Sequence, residues 1–253
     1  MNDFAAIQPE LQYPIDFGGF KIGTKGLWAK RIQEWLVFHG YNLVIDADFG
    51  SITDKVVKDY QAKEGYMANG VVDTSTFNRL SLPMKRALDI DKIKSYLVGG
   101  NINRIVVTAK QHLDQHPREL GDANSGAWVR LYMKGNEGIN YPWCAGFVSF
   151  ILSQVKFFMP DIIIPRYSFS CTDLVNSAKS VGLPVGNSVK DLYPGCLFVI
   201  RNGNYYTHIG IIKRLFDGGF ESIEGNSNCS GSAEGIAVVS NNRSFNNKDF
   251  IYL

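Results

Sequence analysis

Polar and apolar positions repeat with two different periods along this chain, and the change of period divides it. From Gly23 to Leu80 the spacing is helical. Leu27, Ile32, Trp35, Leu36 and Phe38 form one apolar face that Gly40 ends. Ser51 to Asp54 supply cap-type residues to a second helix, which carries Val56, Val57, Tyr60 and Gln61 and stops at Gly65. Thr74-Ser75-Thr76 cap a short third helix with Phe77 and Leu80. Asp46 to Thr53 lines up with Asn69 to Thr76, with Thr at the end of each, which predicts a three-helix bundle with internal pseudo-symmetry. Before it, residues 1–22 show no clear period, and Pro9, Pro14 and Gly18-Gly19 suggest an extended arm.

Ser81-Leu82-Pro83 closes the bundle at residue 82. The helical spacing of Leu88, Ile90, Ile93, Tyr96 and Leu97 predicts a linker helix within 83–104, with a flexible end at Gly99-Gly100. From 105 to 253 helical patterns come first: Asn101 to His116, Trp128 to Met133, a helix opening near Cys144, and Thr172 to Ser180. Phe157 to Pro165 reads as a loop or strand, and Lys134 to Asn140 as a loop walling a cleft. Alternating β-branched strands follow at Cys196–Ile200, Tyr206–Lys213, Phe220–Glu224, Gly235–Ser240 and Phe250–Leu253. Helices first and antiparallel strands after is an α+β layout, with helices packed on a sheet.

Composition narrows the function classes. The 253 residues suffice for two domains, and 45% hydrophobic with 20% charged residues is ordinary for a globular protein. A net charge of +2 demands no polyanionic partner such as nucleic acid, and no apolar run is long enough for membrane insertion. Met1 to Ala6 lacks a basic stretch followed by an apolar one, so no signal peptide is expected there. Cys144, Cys171, Cys196 and Cys229 show neither CxxC nor metal spacing. The last three read as buried thiols, with one bridge among them left open. His112 and His116 share a helix face, but no Glu follows His112, so both read as solvent-facing. Asp46 and Asp48 lack the later ligands of a calcium loop and read as loop and cap residues. No metal and no cofactor is expected.

Candidate chemistry gathers around Asn140-Tyr141-Pro142-Trp143-Cys144. Pro142 resists helix on its N-terminal side, so a helix starts at Trp143 or Cys144 and runs on through Phe147, Val148, Ile151, Leu152 and Val155. A thiol in that first turn meets unpaired N–H groups and the positive end of the helix dipole, which favour the nucleophilic thiolate. The plainer reading of any one cysteine is a small buried apolar residue. His208 opens the strand Thr207 to Lys213. A turn at Asp217-Gly218-Gly219 brings Phe220 to Asn226 back beside it, so His208 meets Glu224 or Asn226 at the open end of the hairpin. A His to take the thiol proton, with a polar residue to fix its tautomer, is what a cysteine nucleophile requires.

Pro142 to Val148, His208 to Ile212, and Glu224-Gly225-Asn226 resemble the three signature blocks of CHAP domains, papain-like cysteine amidases and peptidases acting on peptidoglycan. Arg118 to Gly121 and Asn124 to Val129 resemble the segment preceding the nucleophile in one branch of that family. The resemblance spans about residues 105–253. It implies Cys144 as nucleophile, His208 as base, Glu224 orienting His208, and Asn226 as a further polar residue or the orienting one instead. Cys196 stands where that family often has Asp. NlpC/P60 endopeptidases have a similar layout but usually orient the base with a second His. Residues 23–82 resemble the type 1 peptidoglycan-binding module, through Ile32-Gln33, Gly40-Tyr41, Asp46, Phe49-Gly50, Thr53, Tyr60-Gln61, Gly65, Gly70 to Val72, Thr76 and Leu80. Asp73 replaces its usual Gly. Trp28, Tyr41 and Tyr66 offer faces for sugar rings, although aromatics at helical spacing are usually core.

Together the resemblances imply a peptidoglycan hydrolase that cleaves an amide of the cell wall. The bond is either the N-acetylmuramoyl-L-alanine link or one in a stem peptide or cross-link. The alternative is a non-catalytic wall-binding or phage-structural protein with an inactive hydrolase domain. The implied partners are bacterial peptidoglycan and, for delivery from the cytoplasm to wall or periplasm, phage lysis or a secretion system, with an immunity protein in the effector case.

Overall fold

A computed structural model describes residues 8–11, 13–14, 18–96, 103–230 and 235–253. The expected flexible end at Gly99-Gly100 and half of the N-terminal arm lie outside these residues. In chain order the helices are α1 (Gln8–Leu11), α2 (Leu27–Phe38), α3 (Ser51–Lys63), α4 (Thr74–Leu80), α5 (Leu82–Ala87), α6 (Ile90–Tyr96), α7 (Arg104–Leu113), α8 (Ala127–Tyr132), α9 (Cys144–Phe158) and α10 (Cys171–Ser180). The strands are β1 (Val185–Gly186), β2 (Leu197–Asn202), β3 (Tyr205–Phe216), β4 (Gly219–Ser227), β5 (Ala237–Ser244) and β6 (Lys248–Ile251). The chain gathers into two compact units, each built from two stretches. One takes Met1–Lys85 and Glu119–Gly138, the other Arg86–Arg118 and Ile139–Leu253.

In the first unit α2, α3 and α4 close on Ile32, Trp35, Leu36, Val57, Tyr60, Phe77 and Leu80, all buried. The pseudo-symmetry has a concrete basis in two glutamines. Gln33 bonds Asp46 Oδ1 at 2.7 Å, Asp48 O at 3.1 Å and Thr53 Oγ1 at 3.2 Å, and accepts from Ala47 N at 2.9 Å. Gln61 repeats the pattern on Asn69 Oδ1 at 3.1 Å, Val71 O at 2.8 Å, Thr76 Oγ1 at 3.3 Å and Gly70 N at 2.9 Å. Each buried amide therefore satisfies the loop that leads into the next helix. Ala47 and Gly70, at matching positions, both take positive φ. The cap of α4 differs from expectation: Asp73, one residue before the threonine run, accepts from Thr76 N. The arm is also not wholly extended. Glu10 lies in the helical turn α1 and is buried against Arg130, which additionally bonds Glu34 and Glu137 within the same unit.

The second unit sets α7, α9 and α10 against a six-stranded antiparallel sheet of order β1-β6-β2-β3-β4-β5. The expected single linker helix is two helices, because the Asp89 carboxylate accepts from Lys92 N and starts α6 afresh. This segment packs rather than swings: Gln111 Nε2 reaches the carbonyls of Arg86 at 2.7 Å and Asp89 at 2.9 Å. His112 is likewise not solvent-facing. It is fully buried against the rings of Phe147 and Phe150, with Nε2 2.9 Å from Gln154 Oε1. Burial pushes its pKa down to about 4, outweighing the Gln154 bond, so it is a neutral core histidine. His116 is exposed as expected. The stretch expected as loop or strand after residue 157 begins as helix, since α9 continues to Phe158.

Candidate functional site

α9 is apolar on nearly every side and buried from Cys144 to Leu152, as a helix in the middle of a core must be. It begins at Cys144, its N-cap residue Trp143 offers no side-chain cap, and the Ala145 N–H of the first turn bonds the Cys144 sulfur. β4 lies close along it. A Cβ on Gly225 would stand 2.5 Å from Cβ of Phe147, so only glycine permits this approach.

His208 lies on β3 opposite Ile200 of β2. Beyond Ile211↔Ile223 the β3–β4 register continues toward Gly210 opposite Glu224. Gly210 is needed there as well: a Cβ would fall 2.6 Å from the Phe198 ring and 2.8 Å from Cγ of Glu224. Over that gap Glu224 reaches His208, with Oε2 2.9 Å from Nε2. Both side chains are fully buried. Nδ1 of His208 is buried and holds no fully formed hydrogen bond.

The electrostatics of these groups are mutual. Burial would lower the His208 pKa, but interactions with Cys144 and Glu224 overcome it and push it up to about 9. The Cys144 thiol is held well below its usual range, first by a hydrogen bond from Cys171 and then by His208, against the cost of burial. Cys171 Sγ lies 3.6 Å from Cys144 Sγ, and its own pKa rises because it keeps its proton beside the Cys144 thiolate. Burial would raise the Glu224 pKa, but Arg243 and His208 hold it well below the carboxylate range.

Glu224 is the hub. Its Oε1 accepts from Ser222 Oγ at 2.5 Å and Arg243 Nε at 2.8 Å, and its Oε2 accepts from Ser227 Oγ at 3.1 Å and Arg243 Nη2 at 2.5 Å. Glu224 and Ser227 are an odd number of residues apart and would face opposite ways in a regular strand. A bulge between them, with Asn226 at φ 53°, brings both to the same group. The structure thus gathers Cys144, His208 and Glu224. It puts Glu224, not Asn226, on His208, and places Asn226, buried, at the bend of β4. Sequence reasoning missed Cys171 and Arg243. Ser170, which caps α10 by accepting from Asp173 N, was the available signal for Cys171. Arg243 lay beyond the expected end of its strand, which runs to Ser244.

Among the described residues no cluster of His, Cys, Asp or Glu is arranged to hold a metal ion, and no helix is long and apolar enough to cross a membrane. None of the four cysteines is bridged. Cys196 is buried in an apolar cluster with Phe198 and Phe250, whereas Cys229, expected to be buried, is exposed. In the first unit an open groove of about 500 Å³ is lined by Asn42, Leu43, Val44, Asp46, Ser51 and Ile52 among others. Val44 and Ile52 are strongly exposed on it. Trp28 is stacked on Phe20 and Tyr41 packs edge-on to Tyr60, so of the three aromatics only Tyr66 is exposed.

Residues 29–80 match the family model of a peptidoglycan binding domain. This helical segment associates the chain with the cell wall and with peptidoglycan as partner. No curated protein and no solved structure matches the chain.

Proposed function

We propose that this chain is a peptidoglycan hydrolase of the CHAP, papain-like kind, in which residues 29–80 hold the wall and the second unit cleaves an amide in it. The observation that carries the reading is the buried Cys144–His208–Glu224 group at the start of α9, in a chain that also has a peptidoglycan-binding segment. In this reading His208 and Cys144 form an imidazolium–thiolate pair. The thiolate attacks the carbonyl, and N–H groups of the first turn of α9 stabilise the oxyanion. His208 gives its proton to the leaving amine and then activates the water that hydrolyses the thioester. Glu224, fixed by Arg243, Ser222 and Ser227, keeps His208 oriented and charged.

Delivery by phage lysis or a secretion device belongs to the same proposal. A second reading, a wall-binding protein without catalysis, is favoured by the family match ending at residue 80. Clearing of a sacculus suspension by the protein, but not by Cys144→Ala, supports the hydrolase. Equal clearing by both removes Cys144 from the mechanism, and binding without clearing by either leaves the second reading.

A further inference from the structure

Four cysteines are present, yet two of them meet. Cys144 and Cys171 each open a helix, α9 and α10, and their sulfurs lie 3.6 Å apart. The approach is held from both sides. Ser149 of α9 donates to Ser168 O at 2.8 Å and accepts from Ser168 N at 3.1 Å, which ties the segment before α10 to α9. Tyr206 N donates to Thr172 Oγ1 at 3.0 Å, which ties the start of α10 to β3. A side-chain rotation that closes about 1.5 Å between the sulfurs would reach bonding distance. Cys196 is buried apart, in the cluster of Phe198 and Phe250, and Cys229 is exposed.

We infer that Cys144 and Cys171 form a vicinal dithiol that hydroperoxides oxidise reversibly to a disulfide, which blocks the Cys144 sulfur. The Cys144 thiolate attacks one oxygen of hydrogen peroxide. An S–O bond forms, the O–O bond breaks, and the departing hydroxide takes the His208 proton to become water. The Cys171 sulfur then attacks the sulfenic sulfur. An S–S bond forms, the S–O bond breaks, and hydroxide leaves with the Cys171 proton as a second water. Two thiols lose two electrons and one peroxide gains them. The arrangement suits this order, because Cys144, 3.6 Å from Cys171, is held below the ordinary thiol range by Cys171 and His208 whereas Cys171 is pushed above it. Cys171 thus protects Cys144 from irreversible over-oxidation.

The loss of hydrolysis that accompanies bridging rests on the proposed function, whereas the bridge itself does not. The folded, reduced full-length protein is treated with hydrogen peroxide, alkylated and peptide-mapped, with sacculus clearing followed in parallel. The expected result is a cross-linked peptide containing Cys144 and Cys171, loss of two hydrogens in mass, and clearing that falls away and returns with dithiothreitol. In Cys171→Ser and Cys171→Ala, Cys144 should proceed to sulfinic acid and clearing should not return. Cys144 found as sulfinic acid in the wild-type protein, with Cys171 still alkylated, would overturn the inference. A cross-link in a protein that never clears sacculi sustains the dithiol and counts only against the hydrolase. Clearing without a cross-link does the reverse.

Discussion

At Glu224 two carboxylate oxygens are shared among Arg243, His208, Ser222 and Ser227. Glu224→Gln removes the buried negative charge that pairs with the partly buried Arg243 guanidinium, and breaking a fully buried pair on one side, roughly 3–5 kcal/mol, sets the upper bound of the cost. It should lower the melting temperature and reduce sacculus hydrolysis by about 10²-fold or more. Asn226→Ala, at the bend rather than on His208, should lose less hydrolysis. A larger loss for Asn226→Ala would reassign the orienting role. The pH dependence follows from the same groups. His208 has its pKa raised to about 9, so in the proposed mechanism the imidazolium–thiolate pair would persist through neutral pH and hydrolysis should fall as pH rises through about 9. The raised His208 pKa contributes stability that is full below its ordinary value and lost over the same rise. A rate profile that falls near pH 6.5 instead would mean that His208 is not paired. Cys144, His208 and Glu224 were legible because helix start, strand alternation and hairpin turn are local signals. Arg243 was not, since it reaches Glu224 across a strand whose length the Asn-rich sequence hid.

α9 is held by fits that single residues decide. Gly225→Ala would drive Cβ into Phe147, a backbone-to-core clash that typically costs about 1–3 kcal/mol and moves β4 away from the helix. A thermal melt should show the loss, and unchanged stability would contradict the close approach. His112 seats α9 on α7. Below its ordinary pKa the unfolded chain takes a proton that folded His112 refuses until about pH 4. Stability should therefore decline by up to roughly 3 kcal/mol as pH falls from about 6.5 to about 4. His112→Phe should flatten that decline in denaturant titrations, and an unchanged slope would show that another group is responsible. The helical spacing of α7 was visible, but not the burial of His112. Its partner Gln154 lies 42 residues away, a polar residue in a mainly apolar helix.

Across the whole molecule the sequence order of elements was readable and the grouping was not. The period changes of the chain locate the bundle and the later sheet. Nothing in periodicity reveals that Glu119–Gly138 belongs with the first unit, because that depends on Arg130 meeting Glu10 and Glu34. Deleting the first 82 residues would strip those carboxylates from Arg130, so a surface change is the cleaner test of anchoring. Ile52→Glu, on the exposed groove of the first unit, should weaken sacculus pull-down several-fold while leaving cleavage of soluble muropeptides unchanged. Equal pull-down would show that the groove beside Ile52 is not where residues 29–80 hold the wall. The most direct measurement is mass spectrometry of products from purified sacculi of several wall chemotypes, digested by the protein beside Cys144→Ala. The proposed hydrolase should release fragments that depend on Cys144: free stem peptides from an amidase, or trimmed stems and opened cross-links from an endopeptidase. Intact sacculi of every chemotype, with the protein bound to them, would contradict it.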